Sequence, residues 1–328
     1  MKIVITGGTG FLGLLLARQL IARGKLTGAS GAPEPVERIT LFDVVAPPSL
    51  PADLQNRVDV VTGDIADEAT LRGIITGESV SVFHFASVVS AGAEQDFNLA
   101  MRVNLVGGTE LLEACRALPN KARFVFTSSM AVYGGDKLPE TVSDETKITP
   151  QTTYGMTKAA LELLVTDYTR KGFLDGRGAR LPTIIIRPGK PNKAASGFAS
   201  GVFREPLSGV PIALPVGTDI RMVVSGYRTA VEGMIRLHEL PPSALGHDRT
   251  INFPSLSVTV AEMIESLKRV ALGRKLGAIT SAPDPAIEAI CRSWPGHSRA
   301  DRAQALGLPR DADLDSIVRS YIEDFVDR

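Results

Sequence analysis

Two patterns of hydrophobic residues, one typical of strands and one typical of helices, alternate along the first half of the chain. Short apolar runs rich in β-branched residues predict strands at 2–6, 38–42, 58–62, 80–85, 124–127 and 183–187. Apolar residues at helical spacing predict helices at 10–23, 104–117 and 154–171. Because strands that alternate with helices are typical of parallel βαβ units, the predicted fold class is α/β, with a doubly wound parallel sheet.

The pattern changes after residue 188. Gly, Pro and Ser recur from 189 to 217, and helices are predicted at 228–240, 259–272 and 314–326. We therefore assign residues 1–188 to a first domain and 189–328 mainly to a smaller C-terminal substrate lobe, with a segment at about 226–254 returning to the first domain. A Gly-, Ala-, Ser- and Pro-rich stretch at 25–35 is predicted to be a surface loop.

Composition narrows the function classes. The 36 basic and 36 acidic residues balance, which argues against a nucleic-acid or anionic-membrane partner recognised by bulk charge. Gly13, Arg18 and Gln19 interrupt the apolar stretch at 11–22, so we expect a cytoplasmic protein without a signal peptide or membrane span. Cys115 and Cys291 are too few for a disulfide framework and are interpreted as packing residues, and the four histidines match no zinc spacing, so no metal is predicted.

A glycine-rich turn follows the first predicted strand and opens the first predicted helix. Glycines at this junction let backbone amides approach a pyrophosphate at the helix N-terminus, which indicates a dinucleotide site on a Rossmann sheet. The predicted cofactor-binding residues of this turn are Gly7, Gly10, Phe11, Leu12 and Gly13.

Asp43 ends the second predicted strand. A carboxylate there can accept hydrogen bonds from both ribose hydroxyls and would repel a 2′-phosphate, so the predicted cofactor is NAD rather than NADP. A loop aspartate that caps a turn is the alternative. Asp64, Ile65 and Ser87 follow later strands and are predicted to contact the adenine and the central part of the cofactor.

Tyr154 and Lys158 stand one helical turn apart. An ammonium beside a phenol lowers the pKa of the phenol, and such a pair can remove a proton from a substrate hydroxyl near neutral pH. An isolated pair of this kind is more often a packed Tyr and a solvated Lys. The pair becomes informative only together with the glycine turn.

These motifs, in their order, resemble the extended short-chain dehydrogenase/reductase superfamily of NAD-dependent epimerases and dehydrogenases. The matching stretches beyond the glycine turn and Asp43 are 63–65, 84–87, 104–109, 128–134, 154–158 and 187–188.

The resemblance implies a Ser-Tyr-Lys constellation. Tyr154 would be the general base, Lys158 would lower its pKa and bind the nicotinamide ribose, and Ser129 would hold the substrate hydroxyl, with Ser128 as the competing serine. It also implies that Asn104 distorts a helix near the cofactor and that Pro188 flanks the nicotinamide carboxamide. A homodimer formed by the helices at 104–117 and 154–171 is expected on the same grounds, although a monomer could bury the same apolar stripes internally.

The segment after residue 187 departs from the loop typical of sugar-nucleotide epimerases. Lys190, Asn192 and Lys193 would suit a small carboxylate, aided by Arg221, although the lysines could simply keep a loop soluble. This loop, 199–207, Trp294-Pro295 and 303–307 resemble the D-erythronate dehydrogenase group of the superfamily, which implies NAD-dependent oxidation of the C2 hydroxyl of a small sugar acid. A nucleotide-sugar epimerase or dehydratase and a non-catalytic NAD-binding sensor remain the alternatives.

Overall fold

The computed structural model describes residues 1–47, 49–189 and 195–327. Strands and helices alternate through its first half and become irregular afterwards. The strands are β1 Lys2–Thr6, β2 Lys25–Thr27, β3 Pro33–Pro35, β4 Arg38–Asp43, β5 Asp59–Thr62, β6 Val80–His84, β7 Arg123–Ser129, β8 Thr141–Val142, β9 Asp175–Leu181, β10 Thr183–Ile185, β11 Ile212–Leu214, β12 Arg221–Gly226, β13 Thr250–Asn252, β14 Leu256–Thr259, β15 Ile279–Ser281 and β16 His297–Ser298.

Helices connect these strands. The helices are α1 Phe11–Arg23, α2 Glu68–Ile74, α3 Ser90–Gln95, α4 Phe97–Ala100, α5 Gly107–Arg116, α6 Thr153–Arg170, α7 Gly197–Leu207, α8 Tyr227–Glu239, α9 Pro242–Leu245, α10 Val260–Val270, α11 Pro285–Arg292, α12 Asp301–Ala305 and α13 Leu314–Tyr321. Met101–Val106 and Ile322–Val326 are π-helical, and Met130–Val132 is a 3₁₀ turn.

Seven strands form the central sheet in the order β13-β9-β7-β6-β1-β4-β5, and every neighbouring pair is parallel. From β1 the chain builds outwards to β4 and β5, and it then crosses back to β6, β7 and β9 on the other side. This doubly wound topology confirms the predicted fold class. Its switch point lies between β1 and β6, where ligands bind in open α/β sheets.

Alternate residues of the central strands pack on opposite faces of the sheet. Ile3 and Ile5 belong to the core under α1 and α8, whereas Val4 belongs to the core under α2, α5 and α6. Burial on both faces explains why these strands appear as continuous apolar runs in the sequence. A third core fills the C-terminal lobe around Phe203, Met263 and Val318.

The strand predicted at 183–187 is not part of the central sheet. β9 occupies that place beside β7, and β10 instead pairs with β12 in a three-stranded sheet with β14. β9 was not predicted from the sequence, because it contains two glycines and two arginines. Both arginines are buried, since Arg177 pairs with Asp175 and Arg180 pairs with Glu162.

The loop predicted at 25–35 is a short antiparallel hairpin of β2 and β3. The C-terminal half contributes α8 and β13 to the sheet region, with β13 paired to β9. Asp311 accepts hydrogen bonds from Ser225 Oγ at 3.0 Å and Gly226 N at 2.8 Å, and it thereby holds the residue that precedes α8. Asp311 therefore connects the C-terminal part of the chain to the start of α8.

Cys115 and Cys291 are buried and unbonded, and burial raises the pKa of each thiol, to about 12 and about 11. Both contribute to hydrophobic cores, in agreement with their interpretation as packing residues. None of the helices in the described ranges is long and apolar enough to cross a membrane.

Candidate active site

The carboxyl ends of three neighbouring strands meet at one edge of the sheet. Thr6 of β1 lies opposite His84 of β6, and His84 lies opposite Phe126 of β7. The glycine turn follows β1, the segment that contains Ser87 follows β6, and Ser129 is the last residue of β7. Since adjacent strands are about 4.8 Å apart, the three segments lie side by side across the switch point.

The glycine turn is too tight for side chains. A Cβ atom on Gly13 would lie 2.6 Å from the carbonyl oxygen of Gly7, and one on Gly7 would lie 2.8 Å from the amide nitrogen of Ala86. Gly7 also has a φ of +65°. The turn therefore brings backbone amides close together in front of α1.

The N-terminus of α1 suits an anion. Its cap residue is Gly10, no side chain caps it, and no acidic residue lies in the first turn. Free amides and the helix dipole favour a phosphate at this position. The glycine turn and α1 therefore fit the pyrophosphate of a dinucleotide.

Phe11 and Leu12, also predicted to contact the cofactor, begin α1 and join the sheet domain to the lobe. The ring of Phe11 lies 5.3 Å from that of Tyr227 and 6.0 Å from that of Phe325. Leu12 is partly buried and packs against the cores of both parts of the chain.

Asp43 is tied to the glycine turn. Its carboxylate accepts hydrogen bonds from Thr9 Oγ1 at 2.8 Å and Thr9 N at 3.2 Å, and from Val44 N at 2.8 Å. The carboxylate is therefore held at the open end of the turn, on the carboxyl side of β4. The sequence analysis missed Thr9, although its position inside the glycine turn was a signal.

Asp64 and Ile65 lie after β5. Asp64 accepts a hydrogen bond from Ala66 N and forms an ion pair with Arg102. Both contacts lower the pKa of Asp64, and the bond from the Ala66 amide has the larger effect. Arg102 therefore competes for the carboxylate that was predicted to meet the adenine. Ile65 is buried, and its side chain fills the space that a Cβ on Gly107 would need.

Asn104 organises the segment after β6. Its side chain accepts a hydrogen bond from Val88 N at 2.7 Å and donates to Val88 O at 3.0 Å, and Ser87 Oγ donates to it at 3.1 Å. It also donates to Thr157 Oγ1 of α6 at 3.1 Å. Asn104 lies within the π-helical turn Met101–Val106, so a local distortion of the helix accompanies it.

Gly155 sets the position of Tyr154. A Cβ atom at residue 155 would lie 2.1 Å from the carbonyl oxygen of Ala131, two residues beyond Ser129. The start of α6 is capped by Thr152, whose hydroxyl accepts from Gly155 N at 3.0 Å. The helix therefore approaches the Ser129 segment as closely as a backbone without a side chain allows, which places Tyr154 beside it.

The phenol of Tyr154 is influenced by two opposing effects. Burial raises its pKa, and a side-chain hydrogen bond with Ser129 lowers it, with burial dominant. Burial sets this net direction, and the expectation that Lys158 lowers the pKa of the phenol stays a prediction.

Lys158 is buried beneath the phenol. Its Nζ donates to the carbonyl oxygen of Thr127 at 2.8 Å and lies 4.9 Å from the ring centroid of Phe126 and 5.6 Å from that of Tyr154. Burial lowers the pKa of Lys158 to about 7, and the negative charge of Glu162 acts in the opposite direction. The ammonium therefore changes its charge near neutral pH.

The two candidate serines have different partners. Ser128 is buried and its hydroxyl donates to the carboxylate of Glu162. Ser129 is only partly buried, interacts with the phenol of Tyr154, and accepts a hydrogen bond from Ala131 N at 3.1 Å. Ser129 is therefore the serine that faces the tyrosine.

The predicted substrate residues are only partly visible. Lys190, Asn192 and Lys193 lie outside the described residues, and Pro188 is partly buried just before Gly189. Arg221 begins β12, where its guanidinium lies 3.7 Å from Glu262 and contacts Ser257 at 3.3 Å. Val223, on the same face of β12, belongs to the cluster around Met130.

The described part of the chain contains no group of three or more His, Cys, Asp or Glu residues that could hold a metal ion.

The sequence analysis also missed three partners at this site: the carbonyl of Thr127, the hydroxyl of Thr157 and the carboxylate of Glu162. Glu162 alone had a sequence signal, since it follows Tyr154 and Lys158 at the same four-residue spacing.

Comparison with known proteins places this arrangement in context. A family model described as the NAD dependent epimerase/dehydratase family matches residues 3–225. The chain is 50% identical to D-erythronate dehydrogenase of Cupriavidus necator over 324 residues, which cover 99% of this chain and 98% of that protein. It is 42% identical to D-erythronate dehydrogenase of Haemophilus influenzae, covering 98% of this chain and 99% of that protein.

A solved structure is also similar along the full chain. It is described as the nucleoside-diphosphate-sugar epimerase from Agrobacterium tumefaciens and matches with a TM-score of 0.91 and 39% identity. The match covers 100% of this chain and 95% of that one. The sheet domain and the lobe are therefore both represented in this relative.

Proposed function

The chain belongs to the NAD-dependent epimerase/dehydratase family and is an NAD-dependent oxidoreductase, and we propose that it oxidises the C2 hydroxyl of D-erythronate to 2-dehydro-D-erythronate. The full-length similarity to two proteins named D-erythronate dehydrogenase, at 50% and 42% identity, carries this proposal. Ser129, Tyr154 and Lys158 lie at the same edge of the sheet as the glycine turn, which is consistent with this proposal.

The cofactor site is proposed from the same edge of the sheet. The glycine turn and the N-terminus of α1 would bind the pyrophosphate, and Asp43 would exchange its contact with Thr9 for the ribose hydroxyls. Bound at these residues, NAD would supply the acceptor for a hydride from C2 of the substrate. Asn104 and Ser87 would fix the segment that passes under the middle of the cofactor.

The proton of the C2 hydroxyl goes to Tyr154. As a phenolate, Tyr154 removes this proton while Ser129 donates a hydrogen bond to the same oxygen, which becomes a carbonyl. Lys158, buried one turn further along α6, stabilises the phenolate when it carries its proton. Because the pKa of Lys158 lies at about 7, activity should depend on its protonation state in this pH range.

The substrate carboxylate is proposed to meet a cation from the lobe. Arg221 lies on the face of β12 that contacts the Met130 cluster, and its pairing with Glu262 at 3.7 Å is partly exposed. A guanidinium can bind a carboxylate through two parallel hydrogen bonds. Lys190, Asn192 and Lys193 are the proposed additional partners.

A direct experiment combines substrate with the Tyr154→Phe variant. The wild-type protein should reduce NAD in proportion to the D-erythronate consumed, and Tyr154→Phe should lower kcat by about 10²-fold or more while NADH binding changes little. Tyr168→Phe is the matched control, since Tyr168 lies on the same helix but bonds to Glu113. Near wild-type turnover by Tyr154→Phe would exclude Tyr154 as the base.

The second candidate is a nucleotide-sugar epimerase. The 39% identity to a structure described as a nucleoside-diphosphate-sugar epimerase favours it. Such an enzyme regenerates its cofactor in every cycle, so a nucleotide sugar would be converted without net NADH production. Conversion of that kind, with no NADH formed from D-erythronate or other four- to six-carbon aldonates, would replace the dehydrogenase proposal.

A further inference from the structure

A buried network of charged and polar side chains lies behind the proposed proton-transfer site. Glu162 and Arg180 are both almost fully buried and are joined by two parallel hydrogen bonds, from Nε to Oε1 at 3.0 Å and from Nη2 to Oε2 at 2.8 Å. Two charges removed from water in this way destabilise a protein unless their geometry is close to ideal. The pair therefore requires an explanation beyond packing.

Glu162 connects two elements that carry the proposed catalytic residues. It lies on α6, one turn beyond Lys158 and two turns beyond Tyr154, and all three lie on one face of the helix. It also accepts a hydrogen bond from Ser128, which precedes Ser129 at the end of β7. One carboxylate thus joins the helix of the base to the strand of the serine.

Arg180 connects this carboxylate to the next strand and to the C-terminal half. Its Nη1 donates to the hydroxyl of Tyr133 at 2.8 Å, and Tyr133 in turn donates to Asn252 of β13 at 2.8 Å. Arg180 lies opposite Ser128 in the pairing of β7 with β9. The network therefore extends from α6 through β7 and β9 to the edge strand.

Resting on the proposed function, we propose that Glu162 and Arg180 form a buried positioning pair that fixes the middle of α6 against the end of β7 and keeps Lys158 protonated at working pH. Neither residue touches the substrate in this proposal. They act through Lys158, Ser128 and the register between the helix and the sheet.

Groups on β6, β7 and α6 face Lys158 and determine the direction in which its pKa shifts. His84 approaches from β6, the Thr127 carbonyl from β7, and Tyr154 and Glu162 from α6. Burial lowers the pKa of His84 to about 3, so it is neutral above pH 5. Glu162 is therefore the negative charge that retains the proton on Lys158, and its removal must lower the pKa of that lysine.

The test uses the isosteric variant Glu162→Gln in the full-length protein. The basic limb of the pH profile of kcat/KM should move to lower pH by roughly one unit, the shift that a charge about one helical turn away produces in a partly shielded interior. Arg180→Lys keeps the charge balance and should leave the limb in place. A purely structural role would instead lower activity in both variants without moving the limb.

A second measurement does not depend on the substrate. NADH affinity, followed by NADH fluorescence between pH 6 and 9, should fall at a lower pH in Glu162→Gln than in wild type, since a neutral lysine binds the ribose less well. Asp175→Asn is the matched control, because Asp175 is a partly buried partner of another β9 arginine, Arg177, at the opposite end of the strand. It should lower the unfolding temperature without shifting either profile.

The outcomes separate the two proposals. If wild type oxidises no sugar acid but the NADH affinity of Glu162→Gln shifts as described, the proposed function fails and the positioning pair stands. If Glu162→Gln is folded and neither profile moves, the positioning pair is refuted. Should Glu162→Gln fail to fold, the double variant Glu162→Gln/Arg180→Gln removes the unpaired buried charge, and it should show a smaller shift in the same direction.

Discussion

Replacement of Gly155 by Ala is a sharp test of how the site is assembled. The new Cβ atom would lie 2.1 Å from the carbonyl oxygen of Ala131, and ordinary contacts begin at 3.4 Å. Because the obstacle is backbone, α6 and the Ala131 segment must separate by about 1 Å. This movement takes Tyr154 away from Ser129.

The size of the effect follows from that displacement. A misplacement of about 1 Å in a reacting group lowers the rate by roughly 10²-fold, which corresponds to about 2.7 kcal/mol in the activation free energy. The unfolding free energy should change less, since overpacking destabilises by about 1–3 kcal/mol and the gain in helix propensity offsets up to about 1 kcal/mol. NADH binding should be retained, because the glycine turn is not involved.

Gly73→Ala provides the matched control. Gly73 also lies in a helix, α2, and nothing lies within 4 Å of a Cβ atom built there. Steady-state kinetics, NADH titration and urea unfolding should be measured for both variants. A Gly155→Ala protein that is folded and retains kcat within threefold of wild type would refute the proposed closeness of Tyr154 and Ser129.

Three further predictions concern the rest of the molecule. Asp311→Ala leaves the buried Ser225 hydroxyl and the Gly226 amide without their acceptor and should lower the unfolding free energy in urea by about 1–2 kcal/mol; an unchanged midpoint would contradict a stabilising role of Asp311. Burial lowers the pKa of His84 from 6.5 to about 3 and that of His238 to about 4, so at pH 5 both histidines are protonated only in the unfolded chain. Each histidine should therefore lower the unfolding free energy by about 2 kcal/mol between pH 7 and pH 5. Equal unfolding free energies at the two pH values would contradict this. Leu163 is 66% exposed on α6, and Leu163→Glu should convert the predicted homodimer into a monomer in analytical ultracentrifugation. Leu272→Glu, at an 88% exposed position, is the control and should leave the dimer intact. A wild-type protein that sediments as a monomer would exclude the dimer.

The parts of the site that could be predicted from the sequence are those specified by local chemistry. The glycine turn needs Gly13 because the backbone of Gly7 lies 2.6 Å from where its Cβ would be, and such a requirement appears as a spaced motif. Tyr154 and Lys158 are equally local, since one helical turn separates them. Their proposed roles remain predictions.

The remainder depended on partners that are distant in sequence. β9 was missed because its arginines are buried only through pairing with carboxylates, Asp175 and Glu162, that the alternation of polar and apolar residues cannot reveal. The pKa of Lys158 was likewise unpredictable, because it depends on burial beneath Phe126 and on the direction of the ammonium toward Thr127. Pairwise burial of charge leaves no periodic signal.

The late arrival of β13 has a consequence for synthesis of the chain on the ribosome. β9 is complete at Leu181, but the strand that covers its edge ends about 70 residues later, at Asn252. At about 5–20 residues per second, the edge of β9 waits roughly 4–14 s for its partner. During this time Arg177 and Arg180 protect it, because a strand edge that carries cations cannot easily pair with another nascent chain.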